Sequence, residues 1–138
     1  MPNSIISNVS FLVRDYDEAS LFFTQVLGFS VIEDRQLHAD KRWLVVGPSD
    51  QFGAKLLLAK ATTPEQIAQI GRQSAGRVFL FLETDDFWET YHHLASHSVR
   101  FAEKPREEEY GTVVVFLDLY GNKWDLIGRF KSNQNEQF

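Results

Sequence analysis

Tyr110-Gly-Thr-Val-Val-Val-Phe-Leu-Asp-Leu-Tyr-Gly-Asn-Lys-Trp-Asp-Leu-Ile127 reads as two antiparallel strands and the turn between them. Thr112 to Leu117 is a β-branched and aromatic run, Asp118 to Asn122 supply a turn with its glycine and asparagine, and Lys123 to Ile127 return. Side chains alternate across a strand, so Trp124 and Leu126 share one face while Lys123, Asp125 and Ile127 share the other. Asp125 is therefore a carboxylate set mid-strand among apolar residues. An unpaired charge there is costly, and it requires a partner, a ligand or water.

Upstream of this hairpin, Arg77 to Glu83 reads as a strand, and Asp86 stands three residues before Glu89, the spacing of a capping box. The helix it opens carries Phe87, Trp88, Tyr91, Leu94 and Ala95 on one face. A short strand is expected over Val99 to Ala102, followed by a charged loop from Lys104 to Tyr110 that can serve as a rim or lid. About 70 residues earlier the same order of elements occurs. Ile5 to Val13 alternates as a strand, Asp15 and Glu18 repeat the capping box, and Tyr16, Ala19, Phe22, Phe23, Val26 and Leu27 recur at helical spacing until Gly28. Strand-like runs follow at Phe29 to Glu33, Lys41 to Gly47 and Ala54 to Ala59, separated by turns such as Gly47-Pro-Ser-Asp50. Thr63-Pro-Glu-Gln66 caps a short connecting helix that ends near Gly71. The chain is thus an internal duplication of a βαβββ unit, an α+β fold with a first module over 1–60, a connector over 61–75, a second module over 76–129 and a polar tail over 130–138.

Composition narrows the function classes. The 138 residues hold no cysteine, which removes disulfides, thiolate metal sites and a cysteine nucleophile, and suits a cytoplasmic protein. No apolar run approaches the roughly 20 residues of a membrane span, and the start lacks a signal-peptide pattern. A net charge of −5 with scattered Lys and Arg argues against nucleic acid. Partners are expected to be small molecules or other proteins.

Val13-Arg14-Asp15 before the first helix, Val26-Leu-Gly-Phe29 after it, and Asp118-Leu-Tyr-Gly-Asn-Lys-Trp-Asp-Leu126 resemble the vicinal oxygen chelate superfamily, which includes glyoxalase I, extradiol dioxygenases, fosfomycin-resistance enzymes and bleomycin-binding proteins. The resemblance covers nearly the whole chain. It implies two βαβββ modules curled into an open, cup-shaped mixed sheet with helices outside, and a homodimer. It does not imply one activity, because the scaffold hosts isomerases, dioxygenases, transferases and binders. Metal-using relatives carry a His or Gln in the first strand, a Glu in the fourth, a His in the fifth and a Glu in the eighth. By position these fall on Asn8, on or beside Leu57, on Phe79 and on Asp125. Leu57 and Phe79 have no donor atom, so no cofactor is expected, and a divalent metal would have to be held through the oxygens of Asn8, Asp125 and Glu83.

Asn8 and Asp125, with Ser10, are candidate anchors for a ligand's hydroxyl or amine; the competing reading is that they hydrogen-bond each other or water. Glu83, in phase with Arg77, Phe79 and Phe81, is a candidate base if its pKa is raised by the rings beside it, and a solvated strand-end residue otherwise. Of Arg42 and Trp43, one faces the cup and the other the helices: an inward Arg42 selects an anion, an inward Trp43 a flat or cationic molecule. His93 and His97 have metal-gripping spacing but no third ligand, and the buried face of their helix turns them outward. The 19 aromatic residues are explained first by core packing and second by an aromatic pocket. Three functions compete. The first is a metal-free binder of a small apolar or aromatic molecule, contacted by Asn8, Ser10, Arg42, Trp43, Leu57, Phe79, Phe81 and Asp125. The second is an enzyme, a lyase, isomerase or oxidoreductase using Asp125 with Glu83 or Asn8. The third is an interaction module.

Overall fold

Register decides which side of each strand is buried, and the helices show which side that is. The computed structural model describes residues 1–49 and 52–129. Its chain divides into two compact units, Met1–Gln73 and a second that begins at Ser74. Asp50 and the tail expected over 130–138 lie outside the described residues.

The first unit runs β1 (Asn8–Val13), α1 (Tyr16–Leu21), a π-helical turn (Phe22–Val26), β2 (Ser30–His38), β3 (Lys41–Gly47), β4 (Lys55–Lys60) and α2 (Pro64–Gln69). Its strands are ordered β1-β4-β3-β2, with β1 parallel to β4 and the other pairs antiparallel. The Asp15 carboxylate accepts from the Glu18 N–H at 2.8 Å, as the capping-box spacing requires. A single α-helix to Leu27 is expected, yet the last turns widen into π geometry. There the Thr24 hydroxyl donates to the Ser20 carbonyl at 2.9 Å, competing for the acceptor that an α-helix would use. Gly28, at φ +73°, then turns the chain out of the helix. Phe23 is fully buried, edge-on to Phe11 at 5.2 Å and stacked on Phe29 at 5.7 Å. With Ala19 it covers Phe11, Val13, Leu44, Val46 and Leu58, so these residues mark the helix-covered face of the sheet.

Both edges of this sheet are protected. β2 carries Glu33, Asp34, Arg35 and Gln36 and is bulged at two places, which discourages pairing with another chain. On the other edge, the side-chain amide of Gln73 acts as a one-residue strand. It accepts from the Leu12 N–H at 2.8 Å and donates to the Leu12 carbonyl at 3.2 Å.

The second unit runs β5 (Val78–Thr84), α3 (Phe87–Ser96), β6 (Arg106–Glu108), β7 (Gly111–Leu117) and β8 (Lys123–Arg129). The strand order β5-β8-β7-β6, with β5 parallel to β8, repeats that of the first unit. Asp86 caps α3 through the Glu89 N–H at 3.1 Å. The helix lies so close to β8 that a Cβ on Gly128 would stand 2.4 Å from that of Phe87. Phe87 and Leu94 are its buried residues, with Tyr91 stacked on Phe87 at 5.8 Å. Trp88 and Ala95, expected on that face, are exposed, because the covered stripe follows 87, 91 and 94 alone.

One strand is misplaced in the sequence reading. Val99 to Ala102 is not a regular strand, and β6 lies within the run read as a loop. Phe101 makes a single bridge to Phe116, and the Ala102 N–H donates to the Val115 carbonyl at 2.9 Å. The chain then bulges at Glu103, whose carboxylate takes the Val115 N–H at 3.1 Å, and pairing resumes at Arg106. An edge strand that pairs on one side only needs no apolar alternation, so Arg106, Glu107 and Glu108 carried no strand signal.

The architecture is α+β, two βαβββ modules each with its own open mixed sheet.

Candidate functional site

Alternation from the helix-covered residues assigns the opposite, helix-free face of each sheet. In the first unit this face carries Asn8, Ser10 and Leu12 from β1, Leu57 and Ala59 from β4, and Trp43 and Val45 from β3. The question between Arg42 and Trp43 is thereby answered within this unit. Trp43 shares the helix-free face with Leu57. Arg42 turns to the helix side, where its guanidinium meets Asp17 of α1 at 2.8 Å and Asp34 at 2.9 and 3.2 Å, with its centre 5.3 Å from the centre of the Tyr16 ring. Hydrogen bonds donated to those two carboxylates push the Arg42 pKa up and keep it charged. A guanidinium held by two acids is a poor receptor for an anionic ligand.

The β3–β4 ladder stops at the pair Leu44–Leu58. Beyond it opens a cleft of about 460 Å³, lined by Trp43, Leu12, Leu57 and Ala59 and also by Arg42, with Tyr16 and charged or polar side chains from Lys41 to Gln66 at its border. That volume lies within the roughly 300–1,000 Å³ usual for small-molecule sites. Tyr16 helps to hold the cleft's border, since its hydroxyl accepts the Arg42 N–H at 3.2 Å. Tyr16 and Lys41 were not singled out in the sequence. Their signal was weak, for a helix N-terminus and a hairpin turn meet only once the sheet is formed.

In the second unit the row Phe81, Asp125, Val115 crosses β5, β8 and β7 on the helix-free face. Asp125 is buried, with 9% of its surface exposed, and its Oδ1 is the one buried side-chain polar atom among the described residues without a hydrogen-bond partner. Burial is the main cause raising its pKa; Arg106 opposes the shift and Glu103 adds to it. Arg106 itself is taken by Glu103 at 3.1 Å and by Glu108. Beside Asp125, Phe81 stands 63% exposed, an unusual state for a phenylalanine inside a strand.

Glu83 is in phase with Phe81, as its spacing implies, but its carboxylate meets Arg129 at 2.7 Å. That hydrogen bond lowers its pKa, opposite to the direction a base among rings requires. A lowered carboxyl pKa lends stability above the ordinary carboxylate range and loses it as pH falls through the lowered value. Here the contribution is small and screened, since both side chains are half exposed.

Asp118, read above only as a turn residue, has the densest polar environment in the unit. Its Oδ1 accepts from the N–H groups of Tyr120 at 2.9 Å and Asn122 at 3.0 Å, and its Oδ2 from the Asn122 amide at 3.1 Å and the Trp124 indole at 2.9 Å. Burial pushes its carboxyl up against these donors. The Asp-x-x-Gly-Asn-x-Trp pattern is therefore a structural clasp.

The four positions that the family resemblance implies for a metal, the second on or beside Leu57, fall as two pairs. Asn8 and Leu57 stand on the helix-free face of the first sheet; Asp125 stands on that of the second, with Phe79 at the β5 bulge. Two oxygen-bearing side chains and two hydrocarbons do not fit a His/Gln and Glu tetrad. Among the described residues, no three His, Asp or Glu side chains gather as a metal cluster. The rings of His93 and His97, both exposed, lie 4.4 Å apart and tilted by 43°, and Nδ1 of His97 lies 3.0 Å from the His93 carbonyl at the helix end. Most of the aromatic residues are structural, in the clusters around Phe23, Phe87 and Trp124.

Comparison with known proteins agrees with this architecture. Residues 5–126 match the family model described as Glyoxalase/Bleomycin resistance protein/Dioxygenase superfamily. An uncharacterized protein of Shewanella frigidimarina is 51% identical over 92% of this chain and 94% of its own. YetH of Bacillus subtilis is 29% identical over 85% of this chain and 92% of its own. Among solved structures, UcmS2 superposes with a TM-score of 0.77 at 30% identity, over 91% of this chain and 98% of its own. TnmS3, an antibiotic binding protein from Streptomyces sp. CB03234, superposes with a TM-score of 0.74 at 26% identity, over 94% and 99%. No helix among the described residues is long and apolar enough to cross a membrane.

Proposed function

Because the chain belongs to the glyoxalase/bleomycin resistance protein/dioxygenase superfamily, whose members use one scaffold for catalysis and for plain binding, we propose that it is a binding protein for a small apolar or aromatic molecule, working without the family's metal. What supports this reading is the donor set that the family resemblance implies: two of its metal positions fall on or beside Leu57 and on Phe79, side chains with no donor atom. The first unit's cleft on Trp43 supports it, being of ligand size and largely apolar in its floor. The antibiotic-binding relative TnmS3 makes such a role familiar on this fold. Trp43, Leu57 and Leu12 supply contact area, Asn8 and Ser10 lie on the same face as polar contacts, and Asp125 with Phe81 serves the second sheet. The protein acts as a cytoplasmic homodimer in this reading, which sedimentation equilibrium would reveal as a particle of two chains.

A panel of flat apolar compounds, screened by thermal shift in excess chelator, is expected to give hits that quench tryptophan fluorescence. Trp43→Ala should weaken those hits at least tenfold, a loss of about 1.4 kcal/mol or more, while the fold persists. A panel with no hits in chelator, but with hits once divalent metal is supplied, would overturn the reading.

The unpartnered Oδ1 and raised pKa of Asp125 favour a second reading, an acid/base enzyme with Asp125 as the proton-transferring group. It requires turnover that Asp125→Asn abolishes.

A further inference from the structure

Among the described residues, Asp125 is the one whose side chain has a buried polar atom without a hydrogen-bond partner. Its Oδ1 is sealed from water and lacks a donor, which leaves a buried carboxylate only partly compensated. The neighbouring cation does not supply the missing bond. The Arg106 guanidinium bonds Glu103 and Glu108 instead, and Glu103 is held in turn by the Val115 N–H. Counting Asp125, Glu103 and Glu108 against Arg106, the site retains an excess of negative charge. The next residue along the sheet on the same face is Phe81, whose ring is exposed and whose π-face attracts cations.

Resting on the binding role proposed above, we propose that Asp125 and Phe81 together form the receptor for a protonated amine carried on an apolar or aromatic ligand. An ammonium brings both things the site lacks, an N–H donor for Oδ1 and a positive charge for the acidic surroundings. A hydroxyl brings only the donor, and a carboxylate is repelled. The exposed Phe81 ring is free of close packing, so it can turn aside to admit the amine and then flank it. This position, occupied by a metal-ligating Glu in other members, would here hold an organic cation in the metal's place.

The test uses three probes that share one ring system: 1-naphthylmethylamine, 1-naphthalenemethanol and 1-naphthoic acid, titrated calorimetrically into the full chain at pH 7. The amine is expected to bind at least tenfold more tightly than the alcohol, and the acid more weakly than either. In Asp125→Asn that preference should fall to less than threefold. Phe81→Leu, an exposed substitution with little folding risk, should weaken the amine severalfold more than it weakens the alcohol. Equal affinities for amine and alcohol, or a preference that survives in Asp125→Asn, would overturn the proposal while leaving the binding role standing. Failure of all three probes to bind would remove both.

Discussion

Asp118→Asn, an exchange of one oxygen for an NH₂, is expected to destabilise the second unit by about 3 kcal/mol, because buried donors lose their acceptor and face another donor. Both carboxylate oxygens of Asp118 accept more than one hydrogen bond, Oδ1 from the Tyr120 and Asn122 N–H groups and, at 3.4 Å, from the Asn122 amide, and Oδ2 from the Asn122 amide and the Trp124 indole. An asparagine has one acceptor oxygen. Whichever way its amide is turned, the NH₂ points at two N–H groups, either the backbone donors of the turn or the side chains of Asn122 and Trp124. The residue is only 3% exposed, so water cannot take over as acceptor. Urea denaturation followed by tryptophan fluorescence would show the loss as a lower midpoint with an unchanged slope. A midpoint within error of wild type would mean that the clasp contributes little. Asp17→Asn, at a residue that is 87% exposed, provides the contrast and should cost far less.

Gly111→Ala is expected to cost about 3 kcal/mol or more, at the upper end for single substitutions, because backbone strain and overlap act together. Gly111 opens β7 at φ +144°, a conformation that side chains disfavour. A Cβ there would stand 2.2 Å from the Gly128 carbonyl oxygen and 2.9 Å from the Arg129 Cα, both of them backbone atoms that no rotamer change can move. Gly111 is also the first pairing partner of Arg129, so relief of the overlap must part the β7–β8 ladder at that end. Hydrogen exchange should accelerate at the start of β7 before it changes near Val115. A loss below about 1 kcal/mol, within the ordinary range for tolerated changes, would show that the strand end yields at little cost.

The sequence carried the elements whose causes are local. Asp15, Thr63 and Asp86 each sit at a helix start and make the expected bond to the residue three ahead. The β-branched run and the Gly-Asn turn marked the β7–β8 hairpin and its turn. Features that depend on a partner strand were less legible. The direction of Trp43 follows from the pairing of Leu44 with Leu58, which alternation within β3 alone cannot supply. β6 was hidden by its charges, since Arg106 and Glu108 are tolerated only because that strand is an edge. The first-unit cleft exists because the β3–β4 ladder ends early, and no residue type encodes that ending. At the second site Asp125 was visible as a carboxylate out of place, but its neighbours were not. Arg106 and Glu103 reach it through the bulge at Glu103, a feature of the folded edge. Glu83 looked equivalent to Asp125 in phase and chemistry, and Arg129, across the parallel ladder, is what separates them.

Titration calorimetry of untagged protein with zinc, nickel, manganese and calcium, on wild type and Asp125→Ala, tests the central claim most directly. The account predicts no stoichiometric heat from any of the four ions in wild type, and no difference in the variant. One ion bound per chain with clear heat, and lost in Asp125→Ala, would contradict it and return Asp125 to the role of a metal ligand.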